Sequence, residues 1–260
     1  MTRATDARTE DEQINTIAIL ARANSMDALR RTVKDAHSRS VVEAMVRTLS
    51  ELNALCNVCI AAHQTGAMPS VVEPLTIAAL DAAKDAVNVL VHYRPDDAEL
   101  GEVVDKLVRE QRGDALRLLL DACFYQTNVP QRLYKRCLKR AMSAAVYNDC
   151  APVIESIGDL CSAATLETML YRSAGKCQNG AAFKALWPRA RMNVCSRTLF
   201  TFMEPGPARD FILCEIETQT RCIVSDCQCV PCAQNDASRP KGSLTPPAHT
   251  VVDVPLGTCI

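Results

Sequence analysis

The residues best able to do chemistry are cysteines. Cys222, Cys227, Cys229 and Cys232 fall within the single stretch CIVSDCQCVPC. Tetrahedral zinc takes four soft ligands, ordinarily as two close pairs separated by a loop. Cys229 and Cys232 form one CxxC pair, Cys222 and Cys227 a looser one, and Cys214 is a possible extra ligand. The spacing is not that of a zinc finger or knuckle. Asp226 is the one obvious nearby group that can orient a ligand. Three readings stay open: a zinc site, a disulfide or redox pair, or cysteines without chemistry. In the second and third cases no cofactor is expected.

Elsewhere the chemical signals are weak. Cys56-Asn57-Val58-Cys59 has redox-motif spacing but no accompanying βαβ pattern. Cys56, Cys59, Cys123, Cys137, Cys150 and Cys161 fall on apolar helical positions and read as small core hydrophobes. The histidines, His37, His63, His92 and His249, form no HExxH pair. Neither a Gly-rich phosphate loop, nor a GxSxG elbow, nor a kinase motif occurs. A non-enzymatic protein is therefore expected.

The elements that hold these residues are helices. Hydrophobic residues make up 48% of 260, enough to bury a sizeable core in one large or two modest domains. Aromatics at 4% and only 9 glycines disfavour a β-sandwich or barrel, which draws on aromatic strands and Gly-rich turns. They also disfavour a reader of single-stranded nucleic acid, which needs stacking platforms. A net charge of −1 offers no global basic field, so neither nucleic acid nor a membrane is an expected partner. Arg30–Arg31, Lys135–Arg136 and Lys139–Arg140 read as solvated helix faces. MTRATDARTEDEQ lacks the apolar region of a signal peptide, and no apolar run approaches the roughly 20 residues of a membrane span. An intracellular, cytoplasmic setting with reduced thiols follows as the expectation. The ending GTCI is not a prenylation box.

Three segments are expected: a disordered 1–13, a helical 14–217, and a flexible Cys/Pro-rich tail over 218–260. In the middle segment apolar residues recur at spacings of three and four, as in Val87, Leu90, Val91 and Leu116, Leu119, Leu120. Breaks carry Pro or turn residues, as in Met68–Pro69, Arg94-Pro95-Asp96-Asp97 and Asn128-Val129-Pro130. The stretch EPLTIAALDAAKDAVNVLVHYRPDD reads as a helix–turn–helix unit. Pro74 lies at the helix start, Ala78 and Ala79 allow close approach, and Asp85 is the expected N-cap of the second helix. The same unit fits at three more places, with equivalents of Ala78 at Leu20, Leu49 and Leu107, each 29 residues apart. Looser copies anchor at Ala145, Ser173 and Phe202.

The unit at 73–97 resembles the ankyrin repeat, on Pro74, Leu75, Ala78 and Ala79 in EPLTIAA and on the second-helix stretch AVNVLV. RGDALRLLLDA matches the second-helix half. The resemblance covers 14–215 as about seven degenerate units. It departs at the Gly-His turn, which is Ala82–Ala83 here and Gln111–Arg112 in the next unit. It departs also at the fourth-position His, replaced by Thr76, Arg47 and Asp105. It implies an all-α helical-hairpin solenoid that binds other proteins through its first helices and the preceding loops. Glu73, Thr76, Asp81, Arg94, Asp96 and Asp97 are the corresponding contact candidates. Another helical-hairpin solenoid and a compact helical bundle are the competing architectures.

Overall fold

The computed structural model describes residues 3–93, 95–125, 130–174, 180–190, 199, 203 and 205–220. Among these the fold is all-α, with no strand. The helices are α1 (Arg3–Arg22), α2 (Met26–Asp35), α3 (Ser38–Thr48), α4 (Leu52–Gln64), α5 (Val72–Leu80), α6 (Lys84–His92) and α7 (Asp97–Arg109). They continue with α8 (Gly113–Tyr125), α9 (Gln131–Tyr147), α10 (Ala151–Ile157), α11 (Ala163–Ala174), α12 (Ala181–Ala190) and α13 (Pro207–Thr220). A 3₁₀ turn, Gly158–Leu160, follows α10.

Sequential helices pair as α1–α2, α3–α4, α5–α6, α7–α8, α9–α10 and α11–α12. Odd helices pack on the next odd helix from α1 to α11, and even helices on the next even helix from α2 to α12. No substantial contact among the described residues joins helices more than three places apart. The interior is one continuous apolar cluster running from Ile14 in α1 to Ile212 in α13. Hydrogen bonds that link helices through side chains are also short in sequence range. They run from Ser143–Met169, 26 residues apart, to Arg117–Asp159, 42 apart.

Four connectors share one backbone solution. Asn24, Ala82, Gln111 and Asp149 have positive φ of 53°, 54°, 54° and 52°. The next residue's N–H reaches five residues back, as Ser25 to the Leu20 carbonyl (3.0 Å), Ala83 to Ala78 (2.9 Å), Arg112 to Leu107 (3.0 Å) and Cys150 to Ala145 (2.8 Å). The positive-φ residue itself donates three back, as Ala82 N–H to the Ala79 carbonyl. This is the Schellman ending, which satisfies carbonyls left open at a helix C-terminus. Leu20, Ala78, Leu107 and Ala145 are the residues that mark the sequence period.

The expected 29-residue spacing is corrected at Leu49. The matching helix-end position in α3 is Val46, whose carbonyl accepts from Leu49 N–H at 3.3 Å. Leu49 is itself buried, so its apolar character concealed the shift. Connectors absorb the difference: Ala36 and His37 alone separate α2 from α3, whereas 65–71 separate α4 from α5.

Three further expectations change. Residues 3–13 are helical, not disordered, because Ile14, Ile17, Ala18 and Ala21 anchor a buried stripe from which α1 extends backwards. The helix at the other end reaches Thr220, past the expected boundary at 217. The remainder of 218–260 lies outside the described residues. Asp85 is not an N-cap: α6 starts at Lys84, directly after the tight turn, and Asp85 sits in its first turn. There its charge still favours the helix dipole.

Ala82 provides a simple test of the turn. A left-handed conformation costs a residue with a Cβ about 1–2 kcal/mol, partly offset in glycine by the larger entropy of its unfolded chain. Ala82 is exposed and its Cβ supports no packing that would be lost. Ala82→Gly is expected to raise stability by about 0.5–1 kcal/mol, read as a higher midpoint in urea denaturation. A lower midpoint would count against this turn.

Candidate functional site

A surface groove of about 720 Å³ lies across α7, α9 and α11. Asp105 and Arg109 come from α7, Arg140, Ser143 and Tyr147 from α9, and Met169 and Arg172 from α11. These are three consecutive members of the odd-numbered layer. Their buried faces fix them: Leu107 and Val108, Ala141 and Ala145, and Leu166 and Leu170 all point into the core.

The electrostatics of the groove are asymmetric. Arg140 donates to both carboxylate oxygens of Asp105, Nε at 3.0 Å and Nη2 at 2.6 Å. This paired bond raises the Arg140 pKa further above its ordinary value. Gly101, one turn before Asp105, leaves room for that guanidinium; a Cβ at Gly101 would overlap Arg140 Nη1. Arg109 donates to the backbone carbonyl of Asp105 at 3.3 Å. Neither Arg109 nor Arg172 forms an ion pair among the described residues. Tyr147 is 76% exposed at the rim.

A second, shallower concavity of about 400 Å³ lies at the start of α9, over Arg132, Lys135, Arg136 and Lys139. Arg136 Nη1 pairs with Asp97 Oδ2 at 2.5 Å. Arg132, Lys135 and Lys139 are exposed and have no ion pair among the described residues.

The contact candidates read from sequence do not converge on this groove. Glu73 and Asp81 are exposed, on α5 and at its C-terminal cap. Thr76 is corrected: it is buried, and its hydroxyl donates to the Val72 carbonyl at 2.6 Å, so it presents nothing to a partner. Asp96 caps α7, its Oδ1 accepting from Glu99 N–H at 2.7 Å while Glu99 Oε2 accepts from Asp96 N–H at 3.2 Å. Glu99 also accepts from Val71 N–H at 3.2 Å, tying the loop before α5 to α7. Asp97 is exposed but engaged by Arg136. Arg94 lies outside the described residues. At the fourth repeat position, Arg47 bonds Asn15 of α1, as Asp105 takes Arg140 of α9.

Cys222, Cys227, Cys229 and Cys232 lie outside the described residues. Among the described residues no group of three or more His, Cys, Asp or Glu side chains is placed to hold a metal. Cys59, Cys123, Cys137 and Cys150 are packed as core, Cys56 and Cys161 are half-buried, and Cys214 is exposed. Burial pushes the thiols of Cys59 and Cys123 up to about 12 and those of Cys137 and Cys161 up to about 11. Burial raises Cys56 as well, so the CxxC at 56–59 lacks the lowered pKa of a reactive thiol pair.

These shifts carry a sign. A thiol with a higher pKa folded than unfolded keeps its proton longer in the native state. The unfolded chain releases protons from about pH 9, so this contribution is intact below that value and falls as pH climbs towards 12. Urea midpoints are expected to drop steadily above pH 9, and the drop to flatten in Cys59→Ala/Cys123→Ala. A thiol-labelling time course at pH 8 should modify exposed Cys214 quickly and Cys59 and Cys123 only on unfolding. Fast native labelling of Cys59 would contradict the packing.

Among the described residues no helix is long and apolar enough to cross a membrane. No protein-family model, curated protein or solved structure matches the chain.

Proposed function

We propose that the chain is a non-enzymatic scaffold of ankyrin-like helical hairpins that binds a protein partner. One observation carries this reading: each helix packs on its hairpin mate and on the equivalent helices of adjacent hairpins. Such an array buries a continuous core through neighbour interfaces and leaves each layer an extended outer face. The repeated left-handed turn supports the same assignment. Ala82 and Gln111 adopt, at φ of 54°, the backbone for which the ankyrin pattern uses glycine. The groove over α7, α9 and α11 lies on the first helices of successive hairpins, the part such repeats present to ligands.

The test is partner capture with the tagged full chain, followed by cross-linking mass spectrometry. The scaffold reading expects a reproducible protein ligand cross-linked to odd-numbered helices. Turnover of a small molecule with no reproducible protein ligand would overturn it.

A further inference from the structure

Helix α9 has a composition unlike that of the other described helices. Gln131–Tyr147 holds Arg132, Lys135, Arg136, Lys139 and Arg140 and no acidic residue. At 3.6 residues per turn, Arg132, Arg136, Lys139/Arg140, Ser143 and Tyr147 lie along one side of the helix. The buried residues Cys137, Leu138, Ala141, Met142, Ala145 and Val146 occupy the other. One concavity is lined by this side of α9 alone and the other by α7, α9 and α11, so the stripe runs continuously from the first to the second. It is basic at the start of α9 and becomes mixed, with Tyr147 and Met169, at its end. At 1.5 Å per residue the stripe from Arg132 to Tyr147 is roughly 22 Å long.

The helix on one side neutralises part of this charge. Asp97 and Asp105 of α7 take Arg136 and Arg140. Arg132, Lys135 and Lys139 keep their charge exposed, and Arg109 and Arg172 flank the groove without an ion pair among the described residues. Five cations thus surround a surface on a chain whose net charge is −1. Such a local field attracts an anionic partner and sets its orientation.

We infer that this face of α9 is the docking site for an acidic polypeptide segment that seats an apolar or aromatic side chain beside Tyr147 and Met169. The inference rests on the scaffold reading and assigns its ligand class. Extended at about 3.3 Å per residue, a segment of about seven residues spans the stripe. Arg109 and Arg172 present guanidinium groups suited to carboxylates. A polypeptide fits better than nucleic acid for two reasons. Asp97 and Asp105 lie within the cationic surface and repel a continuous phosphodiester chain. Tyr147 is the one aromatic side chain among those lining the two concavities, short of the series of platforms that single strands stack on. The chain's own 221–260 is a poor occupant by charge, with Arg221, Arg239 and Lys241 balancing Asp226, Asp236 and Asp253.

The experiment is fluorescence-anisotropy titration of the full chain with labelled (Glu-Glu-Leu) repeated four times. Lys135→Glu/Lys139→Glu is the test variant, since both side chains are exposed and tolerate reversal without disturbing the core. Circular dichroism checks its fold. Saturable binding weakened at least tenfold in the variant, and likewise in half-molar salt, is the expected result. Tyr147→Ala should weaken binding of this peptide while leaving that of an all-glutamate peptide unchanged. Binding unaltered by the charge reversal, or no binding, would overturn the site. Tighter, variant-sensitive binding of a thymidine 20-mer would overturn the ligand class. Displacement by a peptide of residues 221–260 would reassign the face to the chain's own tail and equally overturn the proposal. Partner capture that survives the charge reversal would leave the scaffold standing while this surface fails.

Discussion

Gly113→Ala is expected to weaken the protein by about 2 kcal/mol and to loosen the junction between α8 and α10. Gly113 opens α8 and is fully packed against the neighbouring layer member. A Cβ there would lie 2.6 Å from the Pro152 carbonyl oxygen and closer still to Ser156 Oγ. The hydroxyl can rotate, but the carbonyl belongs to the backbone of α10. Relief requires the two helices to separate, which strips contacts from Ala115, Val153 and Ile154 nearby in the core. Alanine's better helix propensity returns at most about 1 kcal/mol, and less at a first helical position. Pairing the change with Ser156→Gly removes one of the two obstacles. The double variant should therefore recover part of the loss. Urea denaturation measures both; full stability in Gly113→Ala would mean the helices do not approach as described.

Much of this fold was legible in the sequence because its determinants are local. Apolar spacing located the helix pairs, whereas the three-residue connectors within them were not read from the sequence. The turn geometry was legible only in part. Ala82 and Gln111 look like poor residues for a left-handed turn, yet six-residue hydrogen-bonded endings impose it. The position at Leu49 misled because apolar identity says nothing about whether a residue ends a helix or follows it. The groove was missed for a different reason. Lys135–Arg136 and Lys139–Arg140 read as solvated pairs when taken one at a time. Their meaning depends on what faces them from α7 and α11, residues 26 to 39 positions away in the linked pairs. Pairwise bonding of Arg136 and Arg140 separates them from Arg132, Lys135 and Lys139, and no local pattern distinguishes the two sets. Thr76 failed as a contact candidate because threonine hydroxyls in helices readily turn back to the carbonyl four residues earlier.

Phe183→Ala should produce the largest loss of packing, about 3–5 kcal/mol by the usual cost of truncating a buried phenylalanine. Phe183 is fully buried in α12. Its ring stacks on Trp187 at 5.9 Å between centroids and meets Phe211 of α13 edge-on at 6.2 Å. The Trp187 ring is itself buried, with no partner for Nε1 among the described residues, so packing is what holds it. Where that loss is felt separates the two architectures. A single central core distributes it, and hydrogen-exchange protection should fall throughout. In an array joined by neighbour interfaces the loss is confined near its origin. α12 contacts α10 and α11 strongly and α13 more lightly, while α1 to α6 make no substantial contact with it. Exchange measured by mass spectrometry should therefore show α10 to α13 losing protection by two orders of magnitude or more while α1 to α6 change little. The fold on which the binding surface depends would then be weakened from one end only, since α9 makes only a minor contact with α12 and is held principally by α7, α10 and α11. Uniform loss of protection from α1 onwards would refute the array and, with it, the reasoning that makes the face of α9 a presented surface.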